Sequence, residues 1–179
     1  MITDKHTHTY EDYLRLPEGA SYQLIGGELI MSPSPGFYHQ KIVTKLTTEF
    51  LNFVAMKNLG EVVCAPMDVK VADDEVYQPD IIFISEANRS IIHERIDGAP
   101  DLVVEILSEA TAYYDLRHKK NIYEISGVKE YWIVDPMEKT IEVYHLTHKK
   151  FQLVSEVKQT GSVSSILLNG FQIELEKIF

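Results

Sequence analysis

The chain has 179 residues, 45% hydrophobic and 25% charged, which predicts one soluble globular domain over residues 1–179 and excludes fibrous, disordered and membrane-spanning classes. Its 17 Lys+Arg against 27 Asp+Glu give a net charge of −10, which argues against a protein that coats nucleic acid non-specifically through a basic face. No apolar run approaches the roughly 20 residues needed to cross a bilayer, and the N-terminus lacks a signal-peptide pattern. The single cysteine, Cys64, rules out an internal disulfide and reads as a buried thiol, so the expected location is the cytoplasm.

Thr9-Tyr-Glu-Asp12 approximates a capping box and predicts a short helix to Leu16, ended by Pro17-Glu18-Gly19. Tyr22-Gln-Leu-Ile25 and Glu28-Leu-Ile-Met31 flank Gly26-Gly27 and predict a β-hairpin. A rigid loop, Ser32-Pro-Ser-Pro-Gly36, leads into residues 39–57, where Ile42, Val43, Leu46, Phe50, Phe53 and Val54 recur at helical spacing. Strands are predicted near 61–65, 67–71, 79–85 and 101–107, then a helix over 111–126 ended by Gly127. Further strands follow at 130–135, 140–144 and 151–156, with a tail from Gly170 that reads equally as strand or helix. The predicted architecture is α/β, a sheet flanked by two main helices.

Asp101-Leu-Val-Val-Glu105-Ile-Leu107 carries the first functional signal. A short aliphatic run of this kind is a central strand covered on both faces, yet it contains a carboxylate, which must be paired, metal-bound or protonated if buried. Strand alternation puts Asp101, Val103, Glu105 and Leu107 on one face. Asp80, directly after Pro79, opens another apolar strand; alone it reads more readily as a strand-entry or turn residue. On the following helix, Lys119 borders the apolar stripe of Ala112, Leu116 and Tyr123, with Asp115 one turn before it. The bland alternative for that lysine is a packed stem with its ammonium in water, and for Glu105 a structural ion pair with Lys119. Lys120 is a weaker candidate on the other border. Arg89, Arg95, Arg117, His118 and Lys120 are candidates for a basic rim.

Taken together, Val76-Tyr-Gln-Pro-Asp80, Asp101-Leu-Val-Val-Glu105-Ile-Leu-Ser108, Asp115-x-x-x-Lys119-x-x-x-Tyr123 and Gly127-Val-Lys-Glu-Tyr-Trp-Ile-Val-Asp135-Pro136 resemble a bacterial family, common in cyanobacteria, of restriction-endonuclease-like proteins within the PD-(D/E)XK nuclease superfamily. Tyr22-Gln-Leu-Ile-Gly-Gly-Glu28-Leu29 and the Ser32–Pro35 loop with His39 fit the same family, so the resemblance spans nearly the whole chain. It implies a restriction-endonuclease-like mixed central sheet flanked by helices, with an N-terminal β-hairpin, and a site gathering acids and a lysine around Mg²⁺ or Mn²⁺. By resemblance, Asp80 and Glu105 are the metal-binding acids, Glu28 is a third that assists, and Lys119 replaces the lysine that the superfamily pattern places two residues beyond the second acid, where this chain has Leu107. Gln23 stands where the family usually carries Glu. The implied function is a Mg²⁺-dependent nuclease acting on nucleic acid, DNA foremost, with a homodimer compatible. The alternative is a nuclease-like fold serving as a nucleic-acid or protein-binding module with little or no cleavage.

Overall fold

A computed structural model describes residues 7–17, 19–108, 112 and 114–179. The chain opens with α1 (Tyr10–Tyr13), where the Asp12 carboxylate accepts the Thr9 backbone N–H at 3.0 Å and closes the capping box read from sequence. The hairpin follows as β1 (Tyr22–Ile25) and β2 (Glu28–Met31). Next come α2 (Phe37–Lys57), β3 (Gly60–Cys64), β4 (Val69–Ala72), β5 (Glu75–Tyr77), β6 (Ile81–Ser85), a 3₁₀ turn over Glu86–Ile91 and the short β7 (Ile96–Asp97). The second half holds β8 (Leu102–Ile106), a π-helical segment Tyr114–Lys119 running into α3 (Lys120–Ser126), then β9 (Glu130–Asp135), β10 (Thr140–Thr147), β11 (Lys150–Lys158), β12 (Ser162–Ser164), β13 (Gln172–Glu174) and α4 (Leu175–Ile178). Residues 109–111 and 113, where the second main helix was expected to begin, lie outside the described residues.

The main sheet is mixed and has six strands in the order β11-β10-β9-β8-β6-β3, with β8 and β9 parallel and the other pairs antiparallel. Its centre, β8, is buried at every position, as its aliphatic run predicts. Leu102, Val104 and Ile106 pack with Ile42, Leu46, Phe50 and Val54 of α2, and Trp132 joins them. Val103 faces the other way, among Tyr77, Tyr123 and Tyr131. The alternation therefore sends aliphatic side chains under α2 and leaves Glu105 on the face covered by the π-helix and α3.

The expectation of a single sheet needs refinement. The hairpin does not join the main sheet; with β5, β4 and β7 it builds a second, five-stranded sheet in the order β2-β1-β5-β4-β7. Three strands are missed in sequence, β5, β7 and β12, each two or three residues long and so too short to show a period, and β5 also carries a buried glutamate. The tail resolves into both expected forms, β13 and then α4. Cys64 is corrected as well: it is exposed, at the end of β3, an edge strand of the main sheet. At the start of β3 a Cβ on Gly60 would stand 2.1 Å from the Ile84 carbonyl, which requires glycine where the strand meets β6.

Candidate active site

The antiparallel register of β6 and β8 pairs Ile81 with Val104 and Ile82 with Val103. Carried one step outward, it sets Asp80 beside Glu105. Asp80 Oδ2 accepts the Ile106 backbone N–H at 2.7 Å, which fastens the first acid to the end of the strand carrying the second. Asp80 is thus a strand-entry residue whose carboxylate also ties β6 to the end of β8. Glu105 is 3% exposed, and its Oε1 accepts hydrogen bonds from Lys119 Nζ at 3.1 Å and Tyr123 Oη at 2.9 Å. Lys119 reaches it from the last position of the π-helical segment, with a second ion contact to Asp115 Oδ1 at 2.8 Å. The i,i+4 spacing of Asp115 and Lys119 is the pair read from sequence. The expectation of a lysine on the border of a stripe is corrected: Lys119 is 1% exposed. Its burial is possible because two carboxylates meet it.

These groups form one wall of a cavity of about 430 Å³, which Asp80, Glu105, Lys119, His39 and Gln23 share with the Ser32–Gly36 loop. Glu28 is not brought to it. Glu28 is exposed at the start of β2, cross-strand from Ile25, whereas Gln23 pairs with Ile30. The two lie on the same hairpin face, but Glu28 is two positions nearer the turn, roughly 7 Å along the strand. The hairpin residue at the cavity is the amide Gln23, held by a bond from its Nε2 to Ser32 Oγ at 2.7 Å and one from the Gln78 N–H to its Oε1 at 3.2 Å. Four of the five candidates for a basic rim have other partners. Arg89 pairs with Glu61 and Glu86, Arg95 with Asp97, and His118 with Glu75, while Lys120 lies over the Tyr144 ring.

Burial drives the carboxyl of Glu105 up to about 8, with Lys119 opposing the rise and Asp115 and Asp80 reinforcing it. Burial alone would depress the Lys119 ammonium, but Glu105 and Asp115 reverse this and hold it above its ordinary value. Lys119 is therefore cationic, and three acids crowd one ammonium.

This crowding of acids suits a divalent cation, whose binding would favour the ionised form of Glu105. The donors are hard oxygens: the carboxylates of Asp80 and Glu105, whose named hydrogen bonds use only Oδ2 and Oε1. Among the described residues no three His, Cys, Asp or Glu side chains cluster as a metal cage. Mg²⁺ commonly binds through one or two carboxylates and keeps several waters, so the donor set fits it.

Residues 10–176 match the family Uma2, described as "Putative restriction endonuclease". The chain belongs to this family. This Uma2 chain is also similar to a crystal structure of "a putative nuclease belonging to DUF820" from Anabaena variabilis ATCC 29413, with a TM-score of 0.77 over 96% of this chain and 97% of that one, at 21% identity. The likeness is one of fold: mixed α/β, with the sheet flanked by helices. No curated protein matches the chain in sequence.

Two residues that line the cavity were not singled out as functional from sequence. His39 directs Nε2 to the Ile106 carbonyl at 3.0 Å and to Asp80 Oδ2 at 3.4 Å. Burial would lower its pKa, but Asp80, the Ile106 carbonyl and Glu105 outweigh burial and raise it. Its signal was position alone, on the first turn of α2 just past a Pro-rich loop. Gln23 was visible only as a departure from the family pattern.

These shifts set a pH dependence. The Glu105 carboxyl titrates near 8 in the fold against 4.5 in its ordinary state. Its contribution to stability is therefore complete below 4.5 and is lost as pH rises through about 8. The raised His39 acts in the same sense from 6.5 upward. The depressed Asp101, held by Lys129 and the Ser85 N–H against the effect of burial, loses its contribution only as pH falls below 3.8. The metal-free protein is expected to have a lower urea midpoint at about pH 9 than at about pH 6, and Glu105→Gln is expected to flatten much of that slope. A slope unchanged in Glu105→Gln would assign the effect to other groups.

No helix among the described residues is long and apolar enough to cross a membrane.

Proposed function

We propose that this chain, acting as one domain, is a Mg²⁺- or Mn²⁺-dependent phosphodiesterase that cleaves nucleic acid, DNA foremost. One observation carries the reading: the β6–β8 register sets Asp80 beside Glu105 at a cavity wall, and Lys119 meets Glu105 there at 3.1 Å. A structural ion pair alone accounts for Lys119 and Glu105, but not for a second acid fastened next to them with a cavity in front.

Asp80 and Glu105 would hold the cation. When bound, it lowers the pKa of a water and stabilises charge on a phosphate. Lys119, fixed between Glu105 and Asp115, presents a point charge that orients the attacking oxygen or offsets charge developing on the phosphate. Lys119 and Tyr123 both donate to Glu105 Oε1, so Oε2 is the oxygen that would take the cation. His39 braces Asp80 and the Ile106 carbonyl from the first turn of α2. The Ser32–Gly36 loop walls the cavity and limits water access.

Mg²⁺ or Mn²⁺ is expected to raise Tm, since a ligand bound only by the folded state stabilises it by about 2.7 kcal/mol at a hundredfold excess over Kd. For a chain of this size that is several degrees. Asp80→Ala and Glu105→Ala should each lose most of the shift in a thermal scan. Equal shifts in wild type and both variants would place the cation elsewhere on this acidic surface.

A further inference from the structure

A buried acid outside the cavity touches the same helical segment that delivers Lys119. Glu75 of β5 is 4% exposed and collects three donors: the Gly26 N–H of the hairpin turn at 2.9 Å, His118 Nε2 at 2.8 Å, and the Tyr77 hydroxyl. His118 is the residue before Lys119 and seats against the turn so closely that a Cβ on Gly26 would meet its Cε1 at 3.2 Å. Tyr77, held by Glu75, carries the Lys119 ammonium 5.6 Å from its ring centroid and packs edge-on against Tyr123 at 5.5 Å. Tyr123 in turn donates to Glu105. Glu75 therefore reaches the site by two routes, one along the backbone from His118 to Lys119 and one through the Tyr77 ring.

We infer that Glu75 and His118 are positioning residues: they lock the π-helical segment onto the hairpin sheet so that Lys119 meets Glu105. The local geometry calls for such a lock. A π-helical turn is rare and is found frequently at functional sites. Lys119 is a long flexible side chain that a shift of one residue would swing away from Glu105. The hairpin carries no charged group into the cavity, since Gln23 is neutral and Glu28 lies near its tip. Its contribution is then to hold, through Gly26 and Glu75, the helix that brings the cation. The inference rests on the nuclease reading for its consequence in cleavage, but not for the geometry of Lys119.

The test uses the full chain in two arms. In the first, the Lys119 Nζ ammonium is followed by ¹⁵N NMR in metal-free protein, where a buried and doubly paired ammonium exchanges its protons slowly enough to be seen. Glu75→Ala and His118→Ala are expected to shift or erase that signal while the backbone spectrum away from the hairpin persists. His118→Gln, which places an amide donor near the Nε2 position, should restore it. In the second arm, His118→Ala should lower kcat on the order of tenfold to a hundredfold, with KM and calorimetric Mg²⁺ affinity unchanged, because neither residue touches Asp80. Should His118→Ala fail to fold, Tyr77→Phe, which keeps the ring and frees one bond on Glu75, should give a smaller change of the same kind. An unaltered Lys119 signal in Glu75→Ala and His118→Ala would overturn the inference, as would His118→Gln behaving like His118→Ala. If the wild-type protein cleaves nothing, the nuclease reading fails while the first arm still decides the positioning role.

Discussion

Lys119→Met is expected to lower the stability of the metal-free protein by about 3–5 kcal/mol, the scale for breaking a buried ion pair from one side. The ammonium lies 3.1 Å from Glu105 and 2.8 Å from Asp115, and Lys119, Glu105 and Asp115 are all buried. Methionine fills most of the volume of the stem but leaves two carboxylates without their cation. The urea midpoint should fall with little change in m. Asp115→Asn in the same background should recover part of the loss, because it removes the buried carboxylate that Lys119 otherwise pairs with. Lys120→Met is the control: its ammonium sits over the Tyr144 ring at 3.2 Å, and its loss should cost no more than about 1 kcal/mol. Cleavage by Lys119→Met should drop by a hundredfold or more, on the order expected for one preorganised charge. A Lys119→Met protein as stable as the Lys120→Met control would mean that the Asp115–Lys119–Glu105 contacts do not hold in solution.

The acids are expected to separate folding from chemistry. Glu105→Gln should leave the metal-free fold within about 1 kcal/mol of wild type near neutral pH, because Lys119 keeps Asp115 at 2.8 Å and burial already favours the neutral form of this carboxyl. Its metal-dependent cleavage should nevertheless fall by at least on the order of a hundredfold, through loss of a ligand charge. Asp80→Ala should lose cleavage to a similar extent and also cost about 1–3 kcal/mol, since the Ile106 N–H loses its acceptor. Activity and urea midpoints of the same preparations check both. Glu105→Gln that is strongly destabilised yet fully active would make Glu105 structural.

Much of this was legible in the sequence, for identifiable reasons. The aliphatic run at Leu102–Ile106 predicted a doubly covered strand, and its period-two alternation set Glu105 on the face opposite Leu102, Val104 and Ile106; that α2 covers those three is seen only in the fold. The spacing of Asp115 and Lys119 predicted their contact. The depth of Lys119 was not legible, because a helical wheel gives the direction of a side chain but not what covers it. Here the second sheet and Tyr77 cover it, and that sheet depends on β5, which is too short to show a period. The contact of His118 with Glu75 escaped notice for the same reason: it spans 43 positions and joins a three-residue strand to a π-helical turn. Glu28 was chosen by resemblance on a hairpin whose phase was right. Its distance from the tip, not its face, excludes it from the cavity.

The most direct test of the nuclease reading incubates the purified chain with single- and double-stranded DNA and RNA in Mg²⁺, Mn²⁺ or EDTA, beside Asp80→Ala and Lys119→Met. The account predicts phosphodiester cleavage with either metal, strongest on DNA, abolished by EDTA and reduced a hundredfold or more in both variants. Cleavage that survives EDTA or persists undiminished in Asp80→Ala would contradict it, as would intact substrates under every condition with a protein whose Tm does not respond to metal.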